Sequence, residues 1–222
     1  MRAFMEPEFK QFDVVTDYSD HEYVKLNRQI SFGSKAYKTI MKEWNVLESN
    51  LPESIYVRVY EGRIDLLRAV IVGAPGTPYH NGLFLFDFAF PPRYPDVPPK
   101  GHYKSFGLRL NPNLYEKEFI CLSLLNTWEG PRWKPRTSTM LQVLVSLQAL
   151  VLNERPYFNE SVLEPYKGTI WYENQSLRYN NDVFVMSCKT MFLLQNKPKN
   201  FEDFIVKHFR SHGRLILTAC KA

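Results

Sequence analysis

One cysteine, Cys121, lies in a stretch whose residue types could support nucleophilic chemistry. It follows Asn113 by eight residues and precedes an apolar run at residues 122–125. A cysteine thiolate is a strong nucleophile, and an asparagine amide can donate hydrogen bonds. A free cysteine beside leucines is also a common packing residue, and an asparagine after proline is common in turns. The stretch alone therefore leaves a nucleophile and a buried packing residue as alternatives.

The order of the motifs around Cys121 favours the nucleophile. Residues 90–99 read FPPRYPDVPP, residues 110–115 read LNPNLY, residues 120–122 read ICL, and residues 133–135 read WKP. In this order they resemble the core of a ubiquitin-conjugating enzyme, and most closely the large plant-type subfamily that has Leu-Asn-Pro-Asn-Leu-Tyr where the common form has His-Pro-Asn. The resemblance covers about residues 34–195. It implies that ubiquitin is received as a thioester and passed to a substrate lysine.

The resemblance implies roles for three side chains. Cys121 matches the cysteine that carries the glycyl thioester, and a thiolate is the only nucleophile that such an exchange requires. Asn113 matches the asparagine that supports the oxyanion during lysine attack or holds the neighbouring loop. Glu160 lies near the position of an acidic residue that orients the incoming lysine. For Glu160 a solvated surface glutamate is the alternative.

The resemblance also implies two protein contact surfaces. The basic face of the first predicted helix would meet the activating enzyme, although a solvated lysine face is the ordinary alternative; its residues are Lys38 and Lys42. Residues of two loops would receive a ligase: Tyr94, Asp96, Lys134 and Pro135. Small family members typically have an aromatic residue at the position of Asp96, so we expect ordinary ligases to dock poorly here.

Two positions depart from the common family pattern. Asn111 stands where the family usually has a histidine that is mainly a structural hydrogen-bonding group, and asparagine can take that role. Glu118 stands where a glycine is common, three residues before Cys121. A glycine there suits a positive φ, in which glutamate would be strained. The sequence therefore predicts either a rearranged loop or a lowered activity.

Two other function classes remain as alternatives. A cysteine hydrolase would need a histidine beside Cys121, and the candidates are His80 and His102. Neither histidine lies in a recognisable hydrolase motif. A catalytically weak or inactive ubiquitin-binding variant of the same fold is the second alternative, because Glu118 could impair the loop.

Composition narrows the class of protein. The net charge of +5 and the pI near 9.0 suit an acidic partner but are too mild to indicate nucleic-acid binding. The three cysteines form no CxxC pair and leave an odd number, which argues against a zinc site and a secreted disulfide framework. No signal peptide is recognised, and the longest apolar stretch, residues 141–152, is too short to span a bilayer. We expect a cytoplasmic or nuclear protein that binds no nucleic acid. The resemblance implies that it has no cofactor of its own, since the activating enzyme uses the ATP.

Periodicity predicts the elements that position these residues. A helix should begin after Ser34, and strands should cover residues 55–60, 65–73, 83–90 and a short segment near 100–104. Strands joined by tight turns make an antiparallel meander. Helices should follow, the first capped by Thr137 or Ser138, and others near residues 162–171, 177–195 and 201–209. The prediction is an α+β fold: an N-terminal helix, a meander of about four strands, then C-terminal helices.

Three segments are expected along the chain. Residues 1–33 form an N-terminal extension that either docks as a peptide or stays mobile. Residues 34–195 form the core domain, and residues 196–222 form a C-terminal helix and tail.

Overall fold

The computed structural model describes residues 9–26 and 30–221, arranged around a five-stranded sheet. In spatial order the strands are β1 (Phe12–Val15), β2 (Ile55–Tyr60), β3 (Arg63–Val72), β4 (Leu83–Ala89) and β5 (Lys100–Tyr103). The pairs from β2 to β5 are antiparallel, which confirms the predicted meander. A strand that the sequence did not predict, β1, pairs in parallel with β2.

In the described part of the chain, four α-helices accompany the sheet: α1 (Lys35–Asn50), α2 (Met140–Ser146), α3 (Ile170–Ser187) and α4 (Glu202–Ala219). Ser34 caps α1 as predicted, since its hydroxyl accepts a hydrogen bond from the Tyr37 N–H at 3.1 Å. The cap of α2 is Thr139 and not Thr137 or Ser138, because Thr139 forms a reciprocal capping box with Gln142.

The helix predicted near residues 162–171 is wrong. The segment contains only a 3₁₀ turn, Glu164–Tyr166, and α3 begins at Ile170. Pro165 lacks the N–H that a continuing helix needs, and Gly168 takes a left-handed φ of +84° that ends the turn. A second 3₁₀ segment, Cys188–Leu194, follows α3, where the sequence predicted a continuous helix.

The alternating phenylalanines of β4 define one face of the sheet. Phe84, Phe86 and Phe88 point to the same side, as strand geometry requires, and all three are fully buried. They belong to the main hydrophobic core, together with Ile40 of α1 and Leu144 of α2. This core lies on the same side of the sheet as the segment that carries Cys121.

The opposite face of β4 is buried as well. Leu83 and Leu85 pack in a second apolar cluster with Phe204 and Ile205 of α4. Every residue of β4 is therefore buried. The C-terminal helix is a layer of the folded molecule and covers one face of the sheet.

The N-terminal extension packs against the sheet through arginines of β2 and β3. The donor–acceptor pairs are Arg58 Nη1 to Lys10 O (3.0 Å), Arg63 Nη1 to Val24 O (3.1 Å) and Arg68 Nη1 to Asp20 Oδ1 (2.8 Å). These residues therefore contact the sheet, and the expected division of the chain into three segments stays a prediction. Residues 1–8 and 27–29 of the predicted extension, and residue 222, lie outside the described residues. Within the described part of the chain, no helix is long and apolar enough to cross a membrane.

Candidate active site

The segment around Cys121 doubles back on itself. Isolated β-bridges join Leu114 to Asn111 and to Ile120, and the Tyr115 N–H donates to Phe119 O at 3.0 Å. The Cys121 N–H then reaches back to Asn113 O at 2.8 Å. The eight-residue spacing in the sequence thus becomes direct contact in the fold.

Asn113 holds the backbone of the cysteine. Its Nδ2 donates to Cys121 O at 3.2 Å, and both residues are largely buried. In this arrangement the amide supports the loop, which is one of the two roles expected for it. The other expected role, support of the oxyanion, stays a prediction. The amide does lie beside the residue that would carry the acyl group.

Asn111 connects the loop to the rest of the core. It is fully buried, and its Oδ1 accepts from the Asn113 N–H at 2.8 Å. Its Nδ2 donates to Tyr79 Oη at 2.8 Å and to Val151 O at 2.6 Å. Three satisfied hydrogen bonds fit the structural role expected for an asparagine at this position.

A π-helical turn supplies one of these acceptors. Residues Leu147–Val151 continue α2 with wider turns, and Leu152 N–H donates to Leu147 O at 2.9 Å. Val151 O accepts from Asn111 and also from Asn159 Nδ2 at 3.0 Å. The end of α2 is therefore fixed to the cysteine loop, which fits the frequent occurrence of π turns beside functional sites.

Glu118 has the positive φ expected at its position, +67°. Its side chain contacts β5: Oε2 lies 2.9 Å from His102 Nε2, and Oε1 lies 3.9 Å from Lys104 Nζ just after the strand. Its carbonyl accepts from the Tyr103 N–H at 3.0 Å. The loop that leads to Cys121 is thus attached to β5 and its continuation despite the unfavourable backbone conformation.

The Cys121 thiol faces three polar side chains. The Tyr115 hydroxyl hydrogen-bonds to it, and Arg109 and Glu160 lie close enough to influence its charge. Burial is the largest effect and raises the pKa of the Cys121 thiol, as does the Glu160 carboxylate. The hydrogen bond from Tyr115 and the positive charge of Arg109 act in the opposite direction on this pKa.

Arg109 links the other two groups. Its guanidinium lies 5.1 Å from the centroid of the Tyr115 ring, and its Nη2 is 3.5 Å from Glu160 Oε1. Glu160 follows a 3₁₀ turn, Pro156–Asn159, that the buried Phe158 anchors. The structure thus brings the predicted Glu160 to the vicinity of Cys121.

Sequence reasoning missed Tyr115 and Arg109 as site residues. Tyr115 was visible in the LNPNLY motif, but its place beside the thiol follows from the chain reversal between Leu114 and Ile120. Arg109 comes directly before that motif and was not distinguished from other surface arginines. If a hairpin had been predicted for residues 114–120, Tyr115 would have been expected to lie close to Cys121.

An open cleft gives access to the thiol. Its volume is about 370 Å³, and its lining includes Asn113, Cys121, Trp128, Asn159 and Lys167. A cleft that is open to solvent can admit the extended end of a protein chain. Cys121 is therefore reachable at one side although most of the residue is buried.

The lysines expected to meet an activating enzyme lie on α1. Lys38 and Lys42 are both exposed and are separated by one helical turn, so they share one face. The structure agrees with a basic surface there and equally with a solvated helix face.

The two loops expected to receive a ligase are joined in the structure. Trp133 Nε1 donates to Pro95 O at 2.7 Å, and the Trp133 ring lies 5.6 Å from the ring of Tyr94. Tyr94 itself is almost completely buried, and its hydroxyl donates to the buried Glu43 carboxylate. Its side chain therefore supports this surface from the interior and is not part of the exposed area.

The remaining residues of this surface are exposed. Asp96 Oδ1 accepts from Lys35 Nζ at 2.6 Å, and Lys134 and Pro135 lie on the neighbouring loop. At the position where small family members typically have an aromatic residue, this protein therefore has Asp96, which is paired with Lys35.

The histidines considered for a hydrolase have other surroundings. His102 binds Glu118, and His80 is exposed on the loop before β4. The side chains that influence the Cys121 thiol are Tyr115, Glu160 and Arg109. Among the described residues there is also no group of three or more side chains that could hold a metal ion.

Comparison with known proteins assigns the family. The family model described as ubiquitin-conjugating enzyme matches residues 39–186. The chain is 51% identical over 218 residues to the probable ubiquitin-conjugating enzyme E2 23 of Arabidopsis thaliana, covering 96% of this chain and 20% of that protein. It is 52% identical over 219 residues to the probable ubiquitin-conjugating enzyme E2 25 of the same plant, covering 96% and 36%.

A more distant similarity is to the human protein named dual E2 ubiquitin-conjugating enzyme/E3 ubiquitin-protein ligase BIRC6. The identity is 34% over 236 residues, which cover 95% of this chain and 5% of that protein. The chain thus spans a fifth to about a third of the two plant relatives and a small part of the human one. Because the family model matches residues 39–186, which include most of the sheet, the cysteine loop and α2, this chain belongs to the ubiquitin-conjugating enzyme family.

Proposed function

We propose that the protein accepts ubiquitin as a thioester on Cys121 and transfers it to the amino group of a substrate lysine. The observation that carries this proposal is the position of Cys121 at an open cleft, bonded on its backbone to Asn113. A ubiquitin-like modifier in place of ubiquitin would use the same chemistry.

Charging is an exchange between two thioesters. The Cys121 thiolate attacks the carbonyl carbon of the activated ubiquitin terminus, and the thiolate of the activating enzyme leaves. A tetrahedral oxyanion forms here as well, but the negative charge is already present on the attacking thiolate and ends on the leaving thiolate. The environment of Cys121 matters here mainly through the fraction of thiolate that it permits.

Discharge to lysine passes through a tetrahedral oxyanion. A donor aimed at that oxygen stabilises the transition state. Asn113 Nδ2 donates to the backbone carbonyl of Cys121 at 3.2 Å, so it would have to turn from that carbonyl toward the oxyanion. Glu160 is the carboxylate suited to orient the incoming ammonium and take its proton. Its ion pair with Arg109 limits its freedom, so lysine binding would compete with Arg109 for this carboxylate.

The proposed partners are ubiquitin, an activating enzyme, a ligase and a protein substrate. Lys38 and Lys42 would contact the activating enzyme, while Asp96, Lys134 and Pro135 would contact the ligase above the buried Tyr94. The protein would need no cofactor of its own, since the activating enzyme consumes the ATP. We propose a cytoplasmic or nuclear location.

A charging assay tests this function. Incubation with activating enzyme, ATP and ubiquitin should give one adduct that a thiol reductant removes. The Cys121→Ser variant should give an adduct that resists the reductant, because a serine forms an oxygen ester. The Cys188→Ser and Cys220→Ser variants are matched controls and should charge like the native protein.

A thiol-sensitive adduct that persists in Cys121→Ser would rule out Cys121 as the acyl carrier. No adduct with ubiquitin or related modifiers, combined with measurable ubiquitin binding, would instead identify an inactive binding variant. Consumption of a preformed ubiquitin thioester without an adduct would identify a hydrolase.

A further inference from the structure

Two cysteines outside the candidate active site lie side by side. Cys188 and Cys220 are separated by 32 positions in the sequence, yet their sulfur atoms are 3.5 Å apart. Cys188 directly follows α3, and Cys220 directly follows α4. All three cysteines of the chain are free thiols. The odd number of cysteines in the sequence gave no indication of this pair.

We propose that Cys188 and Cys220 are a dithiol site that takes a small-molecule disulfide as its oxidant and closes to an intramolecular disulfide, leaving Cys121 free. In a disulfide the sulfur atoms are about 2.05 Å apart, so the two must approach by roughly 1.5 Å. Cys220 is exposed at the end of α4, where a helix frays most readily. A small shift of this last turn supplies the approach.

The two thiols differ in a way that sets the order of reaction. Cys220 is exposed, whereas Cys188 is half-buried. Burial raises the pKa of Cys188 to about 12, and the neighbouring Cys220 thiol acts in the same direction. The thiolate is the attacking species in disulfide exchange, so Cys220 reacts first.

The exchange balances in two steps. The Cys220 thiolate attacks one sulfur of the small disulfide, forms a mixed disulfide and releases one small thiolate. Cys188 then loses its proton and attacks the Cys220 sulfur, which releases the second small thiolate. The two cysteines together lose two electrons and two protons, and the small disulfide becomes two thiols.

The bond would tie the end of α4 to the segment after α3. The first half of α4 is anchored on the sheet by Phe204 and Ile205, but in its second half Ile216 is buried between the exposed Leu215 and Leu217. A cross-link at Cys220 adds a covalent anchor where apolar contacts are few. It also restricts the unfolded chain between the two cysteines.

The test uses the whole 222-residue protein, first reduced and then placed in a glutathione buffer that contains excess oxidised glutathione. The intact mass should fall by two hydrogen atoms, and peptide mapping should show Cys188 joined to Cys220. Cys121 should remain open to alkylation. The melting temperature should rise by about 5 °C or more, and reduction should reverse the rise.

The matched variant is Cys188→Ser. It should keep one glutathione on Cys220, because no neighbouring thiol can expel it, and its melting temperature should not rise on oxidation. The Cys220→Ser variant should form no cross-link. Because neither measurement involves ubiquitin, the outcome is independent of whether Cys121 charges.

Three results would overturn the proposal. The first is a native protein that keeps glutathione on Cys220 without closing the cross-link. The second is a disulfide that involves Cys121. The third is a native protein in which Cys188 and Cys220 both stay reduced in the glutathione buffer.

Discussion

At the scale of single residues, the Cys121 thiol lies between opposing influences. Burial and the Glu160 carboxylate raise its pKa, whereas the Tyr115 hydroxyl and Arg109 lower it. A raised pKa reduces the thiolate fraction at neutral pH and with it the rate of nucleophilic attack. The three polar neighbours therefore set how much of the thiol is reactive at a given pH.

Substitution of these neighbours should move the reactivity of Cys121 in opposite directions. Tyr115→Phe removes the hydroxyl that stabilises the thiolate, so the pKa of Cys121 should rise and its alkylation should require a higher pH. Arg109→Gln should act in the same direction. Glu160→Gln should lower this pKa. The measurement is the rate of alkylation against pH in a protein that also carries Cys188→Ser and Cys220→Ser.

The informative comparison is between Tyr115→Phe, which removes a hydroxyl, and Glu160→Gln, which removes a negative charge from the same site. A shift of both profiles to the same side would contradict the opposed effects described above. A Tyr115→Phe profile identical to the native one would show that its hydroxyl does not contact the thiolate in solution.

Asn113 should separate charging from discharge. Asn113→Ala should leave the rate of Cys121 charging nearly unchanged, because in thioester exchange the negative charge is already present on the attacking thiolate, whereas attack by a neutral amine creates it. Transfer to free lysine should fall by about a hundredfold if the amide contributes roughly 3 kcal/mol. Single-turnover charging and discharge under the same conditions give both rates.

Asn111→Ala is the matched control for this prediction. It removes three buried hydrogen bonds and leaves the Asn113 N–H without its acceptor, whereas Tyr79 Oη keeps Leu110 O and Val151 O keeps Asn159 Nδ2. The free energy of unfolding should fall by about 1–3 kcal/mol. Both transfer steps should then weaken mildly and together. If Asn113→Ala shows this same joint loss, Asn113 holds the loop and has no separate role at the oxyanion.

At the scale of elements, the loop before Cys121 is held in a costly conformation by its own side chain. Glu118 has φ +67°, which is unfavourable for a residue with a Cβ atom. Its carboxylate offsets part of this cost through His102 and Lys104, which lie on and just after β5. The loop is therefore attached to the sheet through the side chain of Glu118, at a position whose backbone conformation a glycine would adopt more easily.

A pair of variants separates the two effects at Glu118. Glu118→Gln removes the ionic contact and keeps the backbone strain, whereas Glu118→Gly removes both. The glycine variant should be more stable than the glutamine variant by about 0.5–1 kcal/mol after the extra unfolded-state entropy of glycine is subtracted. Urea denaturation of the two proteins measures this difference. Equal stabilities would show that the positive φ carries no cost at this position.

At the scale of the whole molecule, the segments at both ends of the described chain cover one face of the sheet and contact each other. Asn200 Nδ2 donates to Asp17 O at 2.7 Å, and the Lys199 N–H donates to Asp20 Oδ2 at 2.9 Å. Arg58 lies over the rings of Phe9 and Phe201, one from each segment. Removal of either segment would expose the charged side chains that it now covers.

This covered face should make folding sensitive to mild acid. His21 is buried and neutral: its Nε2–H donates to Leu67 O at 3.1 Å, and its Nδ1 accepts from the Tyr23 N–H at 3.2 Å. Burial, with the charge of Arg68, lowers the pKa of His21 below its usual 6.5 against the opposing effect of Asp87 and Asp20. The unfolded chain therefore binds the proton first, so stability is complete above about pH 6.5 and declines as the pH falls below it.

The measurement is the free energy of unfolding between about pH 7.5 and about pH 5.5 for the native protein and for His21→Asn. The variant should lose less stability over this range. His208→Asn is the matched comparison, because burial also lowers the pKa of His208, a buried histidine of α4. Parallel curves for the native protein and His21→Asn would show that His21 does not contribute to the acid sensitivity.

The sequence by itself determined the features that depend on local spacing. Strand periodicity placed Phe84, Phe86 and Phe88 on one face, and the helical period with Ser34 at its start located α1. The order of the motifs indicated Cys121 and Asn113 as candidate site residues. It also indicated the family that the comparisons confirm. These features are local because the side-chain direction of a strand or helix follows from its own backbone geometry.

Only the tertiary structure decided which distant residues meet. It brought Tyr115 and Arg109 to the thiol, paired β1 with β2, and placed Cys188 beside Cys220. Burial of Tyr94 and the contact between His102 and Glu118 are of the same kind. Such contacts depend on chain reversals and on the packing of both sheet faces, which bring together residues that no local pattern relates.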